Sequence, residues 1–254
     1  MSISLHLVSD LDGTWIPSEG NLGSLRGLEA LLVANPGIVL TFATGRSLSS
    51  ALSAIAASVN VLPQHFVTDV GTAIYHRMED GGWAEDPEYA TWVESRWDTH
   101  LLDETIEGWL PLGVRRQPDV FAPRRLALEV ESDQDVHRAA EALRTILKER
   151  GMVVDVLATG RCLDVLPMGV DKGAAAAFLQ THLPLPRPMV ACGDSENDIA
   201  LFQVADHSIL MADSPLDLKF PGMPQERILR ASGLGPLGIL QVLLSLTTER
   251  VEIR

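Results

Sequence analysis

Apolar residues in the first third of the chain alternate between two patterns. Short apolar runs at 3–9, 38–43 and 65–68 are typical of buried strands. Between them, leucines recur at helical spacing over 22–33, and a second helical stripe begins at Leu48 behind a capping Ser47. This strand–helix alternation predicts an α/β fold, with a parallel sheet covered by helices.

The pattern changes near Gly81-Gly82. A helix carrying several tryptophans is predicted over 88–110, followed by strands at 114–117 and 124–131. Ser132 and Asp135 resemble a capping box before an amphipathic helix, which Gly151 ends. A hairpin over 152–157 and 162–166 completes the segment. This αββαββ order predicts a separate α+β unit at 82–166.

After residue 167 the α/β pattern returns. Helices are predicted at 172–182, 196–203 and 237–246, and strands at 189–192 and 208–211. The chain therefore reads as a core in two parts, 1–81 and 167–254, interrupted by the inserted unit.

Composition and charge narrow the class of protein. The chain has 254 residues, 46% of them hydrophobic and 21% charged, which is ordinary for a folded globular protein. Its net charge of −14 argues against a nucleic-acid partner. No apolar run approaches the ~20 residues of a membrane span. Cys162 and Cys192 lack metal-site spacing, which favours reduced thiols and a cytoplasmic location.

The first candidate for chemistry is Asp10-Leu11-Asp12-Gly13-Thr14, directly after the first strand. Alternation places Asp10 and Asp12 on the same side, at the edge where open α/β sheets bind ligands. Two carboxylates there could hold a hard cation, and one could attack an electrophile while the other moves protons. The alternative is an ordinary Asp-Gly turn.

Three further polar clusters also lie at the predicted starts of helices. Thr44-Gly45-Arg46 could bind a phosphoryl oxygen, and Asp171-Lys172-Gly173 brings a cation to a helix N-terminus. Gly193-Asp194-Ser195-Glu196-Asn197-Asp198 offers oxygen ligands suited to Mg²⁺. Each alone could be a solvated loop or a cap. Together, in an open α/β pattern, they indicate one functional site.

In this order the clusters resemble the four motifs of the haloacid dehalogenase (HAD) superfamily. The inserted unit matches that superfamily's α+β cap domain on a Rossmann-like core. Four longer stretches resemble its sucrose-phosphate phosphatase branch, namely 9–15, 43–47, 70–75 and 192–199, together with Asp164-Val165-Leu166-Pro167. The branch often has Asn where this chain has Gly13, the residue that is commoner in the superfamily as a whole.

The resemblance implies a Mg²⁺-dependent phosphomonoesterase acting on a small sugar phosphate, with sucrose 6-phosphate first among the candidates. Asp10 would be the nucleophile that forms an aspartyl-phosphate, and Asp12 the general acid/base. The implied binding residues for phosphate or substrate are Thr44, Gly45, Arg46, Lys172 and Asn197. The implied metal ligands are Asp10, Asp12 through its carbonyl, Asp194 and Asp198.

Several alternatives stay open. The substrate could be another sugar phosphate, such as a mannosyl conjugate, or the chain could be a phosphomutase or a non-catalytic subunit of a sugar-phosphate synthase. A synthase is a candidate partner, and a monomer or small homo-oligomer is expected. Four tryptophans, at 83, 92, 97 and 109, could line a sugar site, but their spacing favours packing.

Overall fold

The computed structural model describes residues 3–16, 22–97, 99–102, 104–131, 135–217 and 224–252. The strands of this part are β1 (Ser4–Ser9), β2 (Gly37–Ala43), β3 (His65–Thr68), β4 (Ala73–Arg77), β5 (Trp83–Glu85), β6 (Val114–Arg116), β7 (Leu126–Val130), β8 (Val154–Thr159), β9 (Cys162–Pro167), β10 (Met189–Gly193), β11 (His207–Leu210) and β12 (Ile228–Arg230). Its α-helices are α1 (Leu22–Ala34), α2 (Leu48–Ala56), α3 (Pro87–Glu94), α4 (Val136–Glu149), α5 (Lys172–His182), α6 (Ile199–Val204) and α7 (Gly235–Glu252).

The described residues form a large sheet of eight strands in the order β12-β11-β10-β1-β2-β3-β4-β5. The strands from β12 to β3 are parallel, and β4 and β5 extend the sheet antiparallel. Helices α1, α2 and α7 bury their apolar residues on one face, and α3, α5 and α6 on the other. The predicted α/β core is confirmed.

The central strand β1 shows why these runs form buried strands. Leu7 and Val8 belong to the apolar clusters on opposite faces of the sheet, and both are fully buried. A parallel strand covered by helices on both sides needs apolar residues in succession rather than in alternation. In β1 that succession is Leu7-Val8, and the buried polar residue His6 has hydrogen-bond partners in Gln180 and Thr41.

The inserted cap is a four-stranded antiparallel sheet in the order β6-β7-β9-β8, covered by α4. The Asp135 side chain caps α4 by accepting hydrogen bonds from the amides of His137 and Arg138. Ser132, the other half of the predicted capping box, lies outside the described residues. The hairpin of β8 and β9 forms as predicted, with a tighter turn at Gly160-Arg161. The cap has its own apolar cluster, which includes Leu143.

The segment 83–94 lies with the large sheet, although the sequence places the start of the inserted unit at residue 82. Strand β5 pairs with β4, and α3 buries Tyr89 and Val93 in the cluster of the core. The predicted helix over 88–110 ends at Glu94, and 3₁₀ turns follow at Thr99–Leu102 and Glu104–Trp109. The aromatic residues of this segment pack in two apolar clusters, one in the core and one in the cap. The chain therefore bends after Glu94 to pass from one cluster to the other.

The tryptophans show this division. Trp83 packs edge-on against Phe66 in the core, with 4.7 Å between ring centroids, and Trp92 stacks on Tyr89. Trp97 is buried in the apolar cluster of the cap, and Trp109 packs at its margin. Each of the four therefore packs against other side chains, as their spacing predicts.

The last helix, α7, packs against α1 and is longer than the predicted 237–246. None of the helices in the described ranges has the length and apolar character that crossing a membrane requires.

Candidate active site

The four motif loops meet at one edge of the large sheet. Asp10 follows β1, Thr44 follows β2 and Asp194 follows β10, and these three strands are neighbours in the sheet. Lys172 is the first residue of α5, whose N-terminus is capped by the Asp171 side chain. Parallel strands bring their carboxyl ends together, which is why residues far apart in sequence converge here.

Lys172 lies at the centre of the site and is fully buried. Its Nζ donates hydrogen bonds to Asp10 Oδ1 at 2.7 Å, Asp198 Oδ1 at 2.8 Å and Asn197 Oδ1 at 2.9 Å. Burial acts to lower the pKa of Lys172, but the two carboxylates outweigh it and raise that pKa above its ordinary value. Lys172 therefore stays protonated and fixes the position of the Asp10 carboxylate.

Three carboxylates in this part of the chain, those of Asp10, Asp194 and Asp198, bring oxygens within 4.8 Å of one another. Burial raises the pKa of Asp10 to about 8 even though Lys172 acts to lower it. Burial, together with the charge of Asp198, also raises the pKa of Asp194 to about 6. When all three carboxylates are ionised, their negative charge exceeds the one positive charge of Lys172 by two. A divalent cation would balance that excess, and oxygen ligands suit Mg²⁺.

The Asp198 side chain shapes the loop that carries Asp194. Its Oδ1 accepts from Lys172, and its Oδ2 accepts from the backbone amides of Asp194 at 3.0 Å and Ser195 at 3.2 Å. A Cβ on Gly193 would lie 2.4 Å from Asp198 Cγ, so only glycine allows this close approach. Because both carboxylate oxygens already accept hydrogen bonds, the contacts of Asp198 favour holding the loop over binding a metal.

The Asp12 side chain lies in a different environment from that of Asp10. It is half exposed, and both of its oxygens accept hydrogen bonds from Arg46, from Nε and Nη2 at 2.7 Å each. Arg46 also donates to Ser50 Oγ at 3.1 Å. The structure therefore pairs the predicted acid/base with a residue predicted to bind substrate, and the Asp12 carboxylate lies outside the three-carboxylate cluster.

Gly13 has a structural requirement of its own. Its φ is +77°, and a Cβ there would lie 2.6 Å from Asp194 Oδ2. The neighbouring Thr14 donates from Oγ1 to Asp194 Oδ1 at 3.3 Å. Glycine at this position therefore allows the loop after β1 to approach the Asp194 carboxylate.

The loop after β2 is held mainly by its backbone. Thr44 is fully buried, and its Oγ1 accepts from the amide of Arg46 at 3.1 Å. The Gly45 carbonyl accepts from Arg125 of the cap at 3.2 Å. Thr14 belongs to the first motif, although no role is predicted for it from the sequence. Arg125 is not predicted as a site residue at all, because it belongs to no local pattern that marks it.

Comparison with known proteins gives a consistent result. Residues 3–244 match the family described as sucrose-6F-phosphate phosphohydrolase. Sucrose-phosphatase 2 of Nicotiana tabacum is 30% identical over 230 residues, which cover 84% of this chain and 51% of the relative. The chain thus spans about half the length of the curated relatives it matches first.

Solved structures show the same likeness. The sucrose-phosphatase of Synechocystis sp. PCC6803, solved in complex with sucrose and phosphate, superposes with a TM-score of 0.82 at 28% identity, covering 96% of this chain and 98% of that chain. A haloacid dehalogenase-like hydrolase from Bacillus subtilis shares the fold, with a TM-score of 0.67 at 17% identity over 97% of this chain and 94% of its own. The chain belongs to the sucrose-6F-phosphate phosphohydrolase family and has the haloacid dehalogenase-like fold.

Proposed function

We propose that this protein is a Mg²⁺-dependent phosphatase that hydrolyses a sugar phosphate, with sucrose 6-phosphate as the preferred substrate. The observation that carries the proposal is the buried contact of 2.7 Å between Lys172 Nζ and Asp10 Oδ1, set within a cluster of carboxylates. It holds a carboxylate nucleophile beside a cation that can receive phosphoryl oxygens. Family membership and the likeness to a sucrose-phosphatase structure support the choice of sugar.

The residues present fit a magnesium ion. Asp10 and Asp194 would hold it with their carboxylates, and Asp12 with its main-chain carbonyl, while Asp198 holds the loop. When bound, Mg²⁺ would neutralise charge on the phosphoryl oxygens and on the two carboxylates. Lys172, Thr44 and the amide of Gly45 would bind the remaining phosphoryl oxygens.

The reaction would proceed in two displacements. An oxygen of Asp10 attacks phosphorus, the bond from phosphorus to the sugar oxygen breaks, and Asp12 gives its proton to the leaving alkoxide. Asp12 then takes a proton from water, which attacks the aspartyl-phosphate and releases inorganic phosphate. Asp10 is regenerated as a carboxylate, and Asp12 is protonated again.

Arg46 has a part in this cycle through its pairing with Asp12. Both Asp12 oxygens accept hydrogen bonds from Arg46, whereas proton donation to the sugar requires an Asp12 oxygen that carries a proton and faces the leaving oxygen. The pair must therefore separate when the substrate binds. Arg46 is then free to contact the anionic substrate, which reconciles its predicted role with its position here.

The test is phosphate release from a panel of phosphate esters, with Mg²⁺ present. We expect the highest kcat/KM with sucrose 6-phosphate, ahead of trehalose 6-phosphate, mannosyl phosphate conjugates and glucose 6-phosphate. A chelator should abolish release and Mg²⁺ restore it, while Ca²⁺ should substitute poorly because it prefers more ligands at longer distances. The Asp10→Asn variant is the matched control for contaminating phosphatases.

Two outcomes would overturn the proposal. Full activity in excess chelator would exclude the metal-dependent mechanism. Transfer of the phosphoryl group between positions on a sugar, with a requirement for a bisphosphate activator and no release of phosphate, would identify a phosphomutase instead.

A further inference from the structure

A three-residue turn beside the site has a left-handed backbone throughout. Its residues, Asp69, Val70 and Gly71, have φ values of +50°, +59° and +99°. Non-glycine residues seldom adopt this conformation, and a β-branched valine does so least readily. Such conformations persist only where the surroundings determine them strongly, and they concentrate at functional sites.

The turn packs between the loop after β2 and the start of α5. The amide of Asp69 donates to the Arg46 carbonyl at 2.9 Å, and that of Val70 to the Thr44 carbonyl at 3.1 Å. On its other side, a Cβ on Gly71 would lie 2.1 Å from the carbonyl carbon of Asp171, directly before Lys172. The turn therefore fixes the loop after β2 relative to the start of α5.

The cap reaches this turn through Arg125, the residue before β7. Arg125 is buried, and its Nη2 donates to Asp69 Oδ1 and to the Gly45 carbonyl, each at 3.2 Å. Its Nη1 donates to Asp164 Oδ1 at 2.6 Å, and Asp164 lies on β9 of the cap. One guanidinium thus joins a carboxylate of the cap, a carboxylate of the core and the backbone of the 44–46 loop.

We propose that Arg125 is a positioning residue that sets the closed position of the cap over the phosphate-binding loop at 44–46. Asp164 holds Arg125 to the cap, and the contacts with Asp69 and Gly45 form only when the cap lies against the core. The proposal rests on the phosphatase activity proposed above, since it concerns how a bulky sugar phosphate is enclosed.

A contribution to folding stability does not by itself explain why Arg125 is buried with Asp69 and Asp164. A buried ion pair is often no more stabilising than apolar residues of similar volume, because both charges lose their hydration. What the cluster supplies is a single directional arrangement, because a planar guanidinium binds its partners in fixed directions. One of these directed hydrogen bonds goes to the carbonyl of Gly45, between Thr44 and Arg46.

The neighbouring Arg124 offers a matched control. It also reaches away from the cap sheet, donating from Nη1 to Glu85 at 2.5 Å and from Nη2 to Glu94 at 2.7 Å. These partners lie on β5 and α3, at some remove along the chain from the 44–46 loop and the left-handed turn. Replacing Arg124 therefore removes a comparable arginine tether and leaves the contacts of Arg125 in place.

The experiment compares Arg125→Met with Arg124→Met in the 254-residue chain, using sucrose 6-phosphate and p-nitrophenyl phosphate. Misplacement by about 1 Å can cost ~10²-fold in rate, so kcat/KM for the sugar phosphate should fall by about that factor in Arg125→Met. The small aryl ester gains little from an enclosing cap and should change by less than about 3-fold. Arg124→Met should change both esters by less than about 3-fold.

Hydrogen exchange gives a readout that does not depend on turnover. The amides of Asp69 and Val70 bind the loop carbonyls, so we expect them to exchange faster in Arg125→Met than in the wild type, and unchanged in Arg124→Met. Arg125→Lys and Asp69→Asn, which preserve most of the buried volume, should show the same selective loss if Arg125→Met does not fold.

The outcomes separate the two proposals. Equal losses for both esters, equal effects of the two arginine variants, or unchanged exchange at the turn would overturn the role of Arg125. A wild-type protein that releases no phosphate from sucrose 6-phosphate would overturn the proposed function, while the exchange measurement would still test the contact between cap and core.

Discussion

Magnesium binding to the substrate-free protein should weaken steeply as the pH falls. The reason lies in Asp10, whose pKa burial raises to about 8 against the opposing effect of Lys172. At neutral pH and without a metal, this carboxyl is therefore mostly protonated. A cation can bind it only by displacing the proton, so metal affinity and proton release are linked.

The size of the effect follows from that pKa. Well below pH 8 the apparent Kd for Mg²⁺ should rise about tenfold for each unit of pH, because one pKa unit corresponds to about 1.36 kcal/mol. Between pH 8 and pH 6 the loss from Asp10 alone is about 50-fold, and above about pH 9 the affinity should level off. Asp194, with its pKa raised to about 6, adds a further loss below pH 6.

Titration calorimetry with MgCl₂ in two buffers of different ionisation enthalpy measures both the affinity and the protons released. We expect about 1 proton per ion at pH 7, nearly all of it from Asp10, and about 0.1 at pH 9. Asp12→Asn is the control: its carbonyl is retained and its carboxylate lies outside the cluster, so the pH dependence should persist. Equal affinities at pH 6 and pH 8, or no proton release at pH 7, would refute the reasoning.

Three substitutions test other parts of the site. Asp12→Asn should slow hydrolysis of a sugar phosphate by ~10²–10⁴-fold, and with p-nitrophenyl phosphate the phosphorylated nucleophile should accumulate, detectable by mass spectrometry after acid quenching. Lys172→Met leaves two buried carboxylates without their cation, so the free energy of unfolding in urea should fall by ~3–5 kcal/mol. Its control is Arg187→Met, which removes an exposed ion pair and should lower the free energy of unfolding by less than ~1 kcal/mol. Gly71→Ala forces a Cβ against backbone and should lower the melting temperature clearly, whereas Gly108→Ala, which has open space, should not.

Much of the fold could be predicted because its strands are buried apolar runs and its helices carry apolar stripes. Strand β4 is not predicted because only Ala73 and Ile74 of its five residues are buried, and the last two, His76 and Arg77, are polar. The helix over 88–110 was predicted too long because periodicity does not show that Trp92 packs on the core and Trp97 on the cap.

The candidate site shows a similar division. Asp10, Thr44 and Asp194 could be placed together because parallel strands end at a common edge, a rule that needs only the order of elements. Asp69 and Arg125 could not be paired in this way. Their contact joins a turn of the core to the residue before β7 of the cap. It depends on how the two units are oriented, which local sequence patterns do not encode.

The position of the cap within the chain also bears on how the protein is made. Strand β1 lies in the middle of the large sheet, and one of its two partners, β10, pairs residue 189 with residue 6. The cap sheet, with its own apolar cluster, is complete by residue 167. During synthesis the cap can therefore form while one edge of β1 still lacks its neighbour.

An unpaired edge on an apolar strand is a site for association with other chains. Contacts between residues so distant in sequence are also slow to form, because the intervening loop must first be closed. Strand β1, which leads to the nucleophile, therefore cannot pair with β10 until the whole cap has been translated. In this fold, the insertion lengthens the time for which that edge of β1 is exposed during synthesis.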